Sequence, residues 1–185
     1  MSATKIRAGL SEEWPAIAQL HSQSWEIAYR DILSNAFLDN HVLANRMQYW
    51  ETRFKAGIPD HTFIRVAEQG DRLVGLVCAV AGADPVWGTL IDNLHVLPGS
   101  QQRGLGRQLI QQAAQWVLGR PDVSVPTEAP MYLWVYRENV RARTFYEKVH
   151  GEAVEEKTEP QPDGSMAPIV RYAWFTETAK ILAGQ

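Results

Sequence analysis

The sequence holds one cysteine, Cys78, among 185 residues, so no intramolecular disulfide can form. Cys78 lies in the apolar run Leu73-Val74-Gly75-Leu76-Val77-Cys78-Ala79-Val80, where the expectation is a buried structural thiol. No apolar stretch approaches the roughly 20 residues of a membrane span. The opening Met1-Ser2-Ala3-Thr4-Lys5 lacks the apolar core of a secretion signal. A cytoplasmic protein with no membrane partner is therefore expected. Neither sign of charge dominates: 18 Lys and Arg stand against 21 Asp and Glu, a formal net charge of −3. The basic excess that marks non-specific nucleic-acid binding is absent, so no nucleic-acid partner is expected. There is also no internal repeat, low-complexity tract or linker, and residues 1–185 read as one domain.

The composition that remains is that of an ordinary globular domain, with 45% apolar and 21% charged residues. Lys5 to Ala8 reads as a short strand. Ser11 has the chemistry of a helix N-cap, with Glu12 and Glu13 in the first turn. Ile17, Leu20, His21, Ser24 and Ala28 then share one helical face. Asn35 to Phe54 reads as a helix or helix pair, with Leu38, Val42, Arg46 and Tyr49 recurring at three- and four-residue steps. His61–Ala67 and Arg72–Val80 read as a hairpin turning at Gln69-Gly70-Asp71. Thr89–Leu97 is a third strand of this group, closed by Pro98-Gly99. A helix spans about Leu105–Leu118, stopped by Gly119-Arg120-Pro121. Asp122–Pro130 reads as a loop, Met131–Tyr136 as a strand, and Asn139–Val149 as a helix ended by Gly151. Two weaker strands, Ala153–Thr158 and Pro168–Trp174, flank a turn-rich stretch. The order is β-αα-βββ-α-β-α-ββ, a mixed α/β domain.

The chemistry concentrates between Leu90 and Arg107. A strand runs into a short loop, and the glycines of Gln101-Gln102-Arg103-Gly104-Leu105-Gly106-Arg107 fall where a helix begins. The first helical turn presents free N–H groups and the positive end of the dipole, which together make an anion site. Glycine allows close backbone approach, and Arg103 and Arg107 add charge-assisted contacts. The P-loop needs Gly-Lys-Ser/Thr, whereas Gly106 is followed by Arg107 and Gln108. The dinucleotide fingerprint fails as well, because Leu109 occupies its third glycine position. What remains is Gln101-x-x-Gly104-x-Gly106.

That pattern resembles the Q/R-x-x-G-x-G/A motif of the GNAT superfamily of N-acetyltransferases. A second stretch, Leu133 to Gly151, is similar to the family's other motif: Asn139, Ala142, Phe145, Tyr146 and Gly151 fit N-x-x-A-x-x-F-Y followed by glycine. Glu152 stands where the family usually has phenylalanine. The resemblance implies a mixed, mostly antiparallel central sheet, splayed between strands 4 and 5 and flanked by helices. It implies an acetyl-CoA-dependent N-acetyltransferase, with acetyl-CoA as co-substrate and no metal. Gln101, Gln102, Arg103, Gly104, Leu105, Gly106 and Arg107 would hold the pyrophosphate. The backbone of Leu94, His95 and Val96 would pair with the pantetheine arm, and a bulge on that strand would aim an N–H at the thioester carbonyl. Asn139 would hydrogen-bond the pantetheine, and Tyr146 would protonate the departing thiolate.

For the general base, Asp92 is the candidate, two residues beyond Leu90 on one strand face. His95 has a suitable pKa, but regular alternation turns it away from the face of Asp92. The acceptor, a small-molecule or peptide amine, is expected near the first helices, where Trp25, Tyr29 and Trp50 stand with Glu26 and Asp31. Two other readings stay open: a GNAT-like acyl-CoA sensor without turnover, and a partner-binding domain pairing around Trp174. Dimerisation is common in the family, so a homodimer is one expectation.

Overall fold

The computed structural model describes residues 3–120 and 129–185, without the side chains of residues 101–103. Seven strands form one sheet in the order β1-β2-β3-β4-β5-β7-β6: β1 (Thr4–Ala8), β2 (Thr62–Gln69), β3 (Arg72–Asp84), β4 (Gly88–Val96), β5 (Met131–Tyr136), β6 (Glu152–Pro160) and β7 (Met166–Trp174). Every neighbouring pair is antiparallel except β4 and β5. That parallel pair matches only Thr89 with Met131 and Leu90 with Tyr132. The sheet therefore splays between strands 4 and 5, as the family resemblance implied.

The helices are α1 (Trp14–Ala28), α2 (Asn35–Asn40), α3 (Val42–Phe54), α4 (Leu105–Leu118), α5 (Val140–Lys148) and α6 (Thr176–Ala183). On α4, Leu105, Leu109, Ala113 and Val117 are buried in the main core, and Trp116 stacks on Phe63 at 5.2 Å. The three- and four-residue spacing of its apolar residues put that stripe on one face. A second apolar core forms on the other side of the sheet, where Ile17, Leu20, Trp50 and Phe54 of α1 and α3 meet Leu76 and Cys78 of β3. Burial pushes the Cys78 thiol up to about 12, as expected for a structural cysteine.

Three readings change. Ser11 is not an N-cap: it opens a 3-10 turn, Ser11–Glu13, and α1 begins only at Trp14. The Glu13 carboxylate closes that turn by accepting from Leu10 N–H at 2.9 Å, while ion pairs of 2.6 Å join Arg7 to Glu13 and Glu68. The Asn35–Phe54 segment is the helix pair of its two expected forms, divided at His41 into α2 and α3. β3 continues four residues past Val80, to Asp84, and α6 follows β7, unread because eight residues leave little periodicity to detect. Most of the proposed loop Asp122–Pro130 lies outside the described residues.

Candidate active site

The register of β3 on β4 sets the site. Cys78 pairs with Asn93 and Ala79 with Ile91, so Asp92 is the extra residue of a bulge. A bulge bends its strand and breaks side-chain alternation. Ile91, Leu94 and Val96 face the main core on the α4 side. Asp92, Asn93 and His95 all face α1 and α3: Asp92 and Asn93 reach Tyr49, and His95 reaches Ser24. The expectation that His95 turns away from the face of Asp92 is therefore corrected, because the bulge consumes one residue and resets the alternation.

Beyond Leu90 no further β5 pairing is made, and a cleft of about 540 Å³ opens along β4. Five groups of residues dominate its lining: β4 from Ile91 to Val96; Leu133 to Val135 of β5; Gly104, Gly106 and Arg107; Asn139, Ala142, Phe145 and Tyr146; and Ser24 and Ala28 of α1 with Tyr29 at its end. The two sequence motifs thus meet at one opening.

At one end, the 3-10 turn Pro98–Arg103 hands over to α4 through Gly104 at φ 69°. That left-handed conformation favours glycine, and a Cβ there would meet nothing within 4 Å. The space above the turn is thus open to a ligand. The first bond within α4 runs from Gln108 N–H to Gly104 C=O at 3.0 Å. The amides of Leu105, Gly106 and Arg107 consequently have no acceptor from within the helix. The Leu105 side chain is buried in the core, so only its backbone is available to a ligand. Gln101, Gln102 and Arg103 belong to the 3-10 turn, but their side chains lie outside the description. Arg107 is exposed at the rim.

At the other end, Asn139 caps α5, its Oδ1 accepting from Ala142 N–H at 3.1 Å. This occupies the oxygen and leaves the amide NH₂ for a ligand. Tyr146 is buried, packed on Phe145, Tyr172 and Trp174 with ring centroids at 5.5, 5.7 and 6.0 Å. Burial raises its phenol above the ordinary range, so the proton stays on oxygen at any working pH.

The α1/α3 wall is polar although half-buried. Asp92 Oδ2 accepts from Tyr49 OH, from Arg53 Nη1 at 2.7 Å and from Asn93 Nδ2 at 2.9 Å. His95 lies 3.0 Å from Ser24 Oγ and stacks at 4.3 Å on the ring of His21. Burial, then the charge of Arg46, lowers His95 to about 3. The same burial, with His95 and Arg46 nearby, lowers His21 well below its ordinary value. Both histidines are therefore neutral.

Of the expected acceptor residues, Tyr29 lines the cleft. Trp50 does not: it is fully buried and donates Nε1–H to His21 Nδ1 at 3.0 Å. Trp25 sits one layer back, its ring 5.2 Å from that of Tyr29, and Glu26 and Asp31 are not among the lining residues. Sequence reasoning missed the roles of Arg46 and Arg53 and the pairing of His21 with His95. The available signal was Arg46 itself, a cation inside the apolar stripe Leu38, Val42, Arg46, Tyr49.

Comparison with known proteins agrees with this geometry. Residues 14–151 match the model of the acetyltransferase (GNAT) family. A probable N-acetyltransferase of Mycobacterium tuberculosis is 28% identical over 151 residues, covering 80% of this chain and 79% of that protein. The fold is shared with a GCN5-related N-acetyltransferase of Rhodopseudomonas palustris (TM-score 0.70, 19% identity, 95% and 97% of the two chains). It is also shared with Arabidopsis thaliana NAA60 in complex with acetyl-CoA (TM-score 0.68, 16% identity, 95% and 99%). A third structure with this fold is the PaiA N-acetyltransferase of Thermoplasma acidophilum in complex with coenzyme A (TM-score 0.64, 16% identity, 93% and 99%). From the splayed strands, the glycine turn and the matched residues together, the chain belongs to the GNAT family of acetyltransferases.

Proposed function

We propose that this enzyme transfers the acetyl group of acetyl-CoA directly to an amine held beside it in a ternary complex. The observation that carries this reading is the meeting, in one cleft, of the bulged β4 edge, the α4 turn at Gly104 and Tyr146. The pyrophosphate binds the α4 amides with Arg107, and the pantetheine lies along Leu94–Val96 with Asn139 beside it. Proximity supplies much of the rate.

The amine nitrogen attacks the thioester carbon, forming N–C as C–S breaks. An N–H of the bulge stabilises the oxyanion. Tyr146 donates its proton to the leaving sulfur. The amine proton leaves to Asp92, directly or through water. Asp92 Oδ1 suits this role, since all three hydrogen bonds that Asp92 accepts from described residues fall on Oδ2. Replacing Asp92 by Asn then lowers kcat by roughly 10²-fold or more. An unchanged kcat assigns the proton to water alone.

The test of the donor site is calorimetry with acetyl-CoA on wild type, Gly104→Glu and Gly104→Ala. The alanine variant reports the backbone strain at φ 69°, about 1 kcal/mol. The glutamate adds charge and bulk where the pyrophosphate would sit. Binding by wild type and Gly104→Ala, lost in folded Gly104→Glu, supports the reading, and no binding by wild type sinks it. An acyl-CoA sensor would bind equally well and release no thiol with any amine.

A further inference from the structure

Directly behind the cleft wall lie two buried hydrogen-bond donors with no acceptor, beside a guanidinium that no carboxylate neutralises. Arg46 is 8% exposed. Its guanidinium lies 4.2 Å from the centre of the Trp25 ring and 4.8 Å from that of Tyr49. No carboxylate pairs with it among the described residues, and its one hydrogen-bonding partner there is Asn45 Oδ1, 3.0 Å from Nε. Arg53 on the same helix contrasts with it, because Asp92 neutralises Arg53 at 2.7 Å.

The Trp25 Nε1–H is buried without an acceptor. So is His21 Nε2, and its state follows from its partner. Trp50 can only donate, so His21 Nδ1 must accept, and the neutral ring then carries its proton on Nε2. The two donors and the guanidinium belong to one cluster: the His21 and Trp25 rings are 5.2 Å apart, and Arg46 covers Trp25.

Each buried donor left without an acceptor costs free energy comparable to a lost hydrogen bond. A buried, unneutralised guanidinium costs more. A water molecule can accept from both N–H groups, but it brings two hydrogens of its own and no charge for the guanidinium. A carboxylate offers about four lone-pair sites, no hydrogens and the missing negative charge. The lining residues Tyr29 and His95 pack on Trp25 and His21, at 5.2 and 4.3 Å, so the cluster adjoins the acceptor side of the cleft.

We propose that the acceptor is an amine bearing a carboxylate, of the amino-acid class, and that Arg46, Trp25 Nε1–H and His21 Nε2–H receive that carboxylate. This rests on the acetyl-transfer reading above. The carboxylate enters between Tyr29 and His95 and leaves the amine near the bulge at Asp92.

The test is thiol release from acetyl-CoA with a panel of α-, β- and γ-amino acids, each beside its own carboxamide, with acetyl-CoA binding measured in parallel. The expected result is at least one acid used with kcat/KM ten-fold or more above its amide. Arg46→Gln removes that preference, chiefly through KM, and leaves acetyl-CoA affinity unchanged. Trp25→Phe keeps the ring but deletes one donor, and it weakens the preference even if Arg46→Gln proves unstable. Amides used as well as acids overturn the inference and leave acetyl transfer intact. So does a panel in which nothing is acetylated although acetyl-CoA binds. Failure to bind acetyl-CoA overturns the parent reading instead.

Discussion

On the α4 side of β4, the side chains Ile91, Leu94 and Val96 are apolar and pack into the main core. In the proposed donor site, the pyrophosphate end on that side is recognised by backbone amides and a glycine rather than by core side chains. On the opposite side, Asp92, Asn93 and His95 meet Tyr49, Arg53 and Ser24 through hydrogen bonds in a half-buried wall. One strand thus carries two kinds of site. Backbone recognition needs only a strand, a glycine turn and a helix, so it is compatible with an ordinary apolar core. Side-chain recognition imports polar groups into the interior, where each must be matched by a partner or a ligand.

The largest expected effect comes from deleting the proposed acid, Tyr146. Tyr146→Phe lowers kcat by roughly 10²–10⁴ while acetyl-CoA binding by calorimetry stays near wild type. Unchanged kcat would detach Tyr146 from the chemistry and leave it a core residue. Next is Gly151, which shares the α4 side but lies away from the cleft. A Cβ there would stand 2.8 Å from Trp174 Cζ2. Gly151→Ala should cost about 1–3 kcal/mol in denaturant unfolding with kcat little changed, separating packing from catalysis on one side of the strand.

The polar wall has its own signature. His21 and His95 have folded pKa values depressed below their unfolded ones, His95 to about 3. Between those values and about 6.5 the unfolded chain binds more protons. Stability is therefore full above about pH 6.5 and falls on acidification, with a slope approaching about 1.4 kcal/mol per pH unit for each histidine. His21→Gln should flatten that slope in urea titrations run at several pH values. The smallest effect is at Cys78, raised to about 12 by burial. Iodoacetamide should modify it no faster than the protein unfolds, without any activity loss in the folded enzyme. Rapid labelling would open the second core to solvent.

The same contrast explains what was legible in the sequence. Gly104, Gly106, Asn139 and Tyr146 stand in two short motifs, and the structure brings them to one opening. Local spacing sufficed because each motif is a single strand-turn-helix unit. The polar wall joins residues far apart in the chain: His21 to His95, Tyr49 to Asp92, Arg46 to Trp25. No local pattern encodes such contacts. His95 was misplaced by regular alternation because a bulge leaves no compositional mark in Leu90–Val96. α6 and the true start of α1 were missed because short or 3-10 segments have too few turns to show a period.

The bulge also makes β4 sensitive to its residue count in a way that composition is not. Deleting Asp92 alone would restore an even pleat, with Ile91, Leu94 and Val96 still on the apolar side and Asn93 and His95 still in the polar wall. A regular β4 would also be free to continue its ladder with β5 beyond Leu90, closing the gap at which the cleft opens. A change of one residue in length, with no change in the character of any other, would thus act on this enzyme as a closed zip.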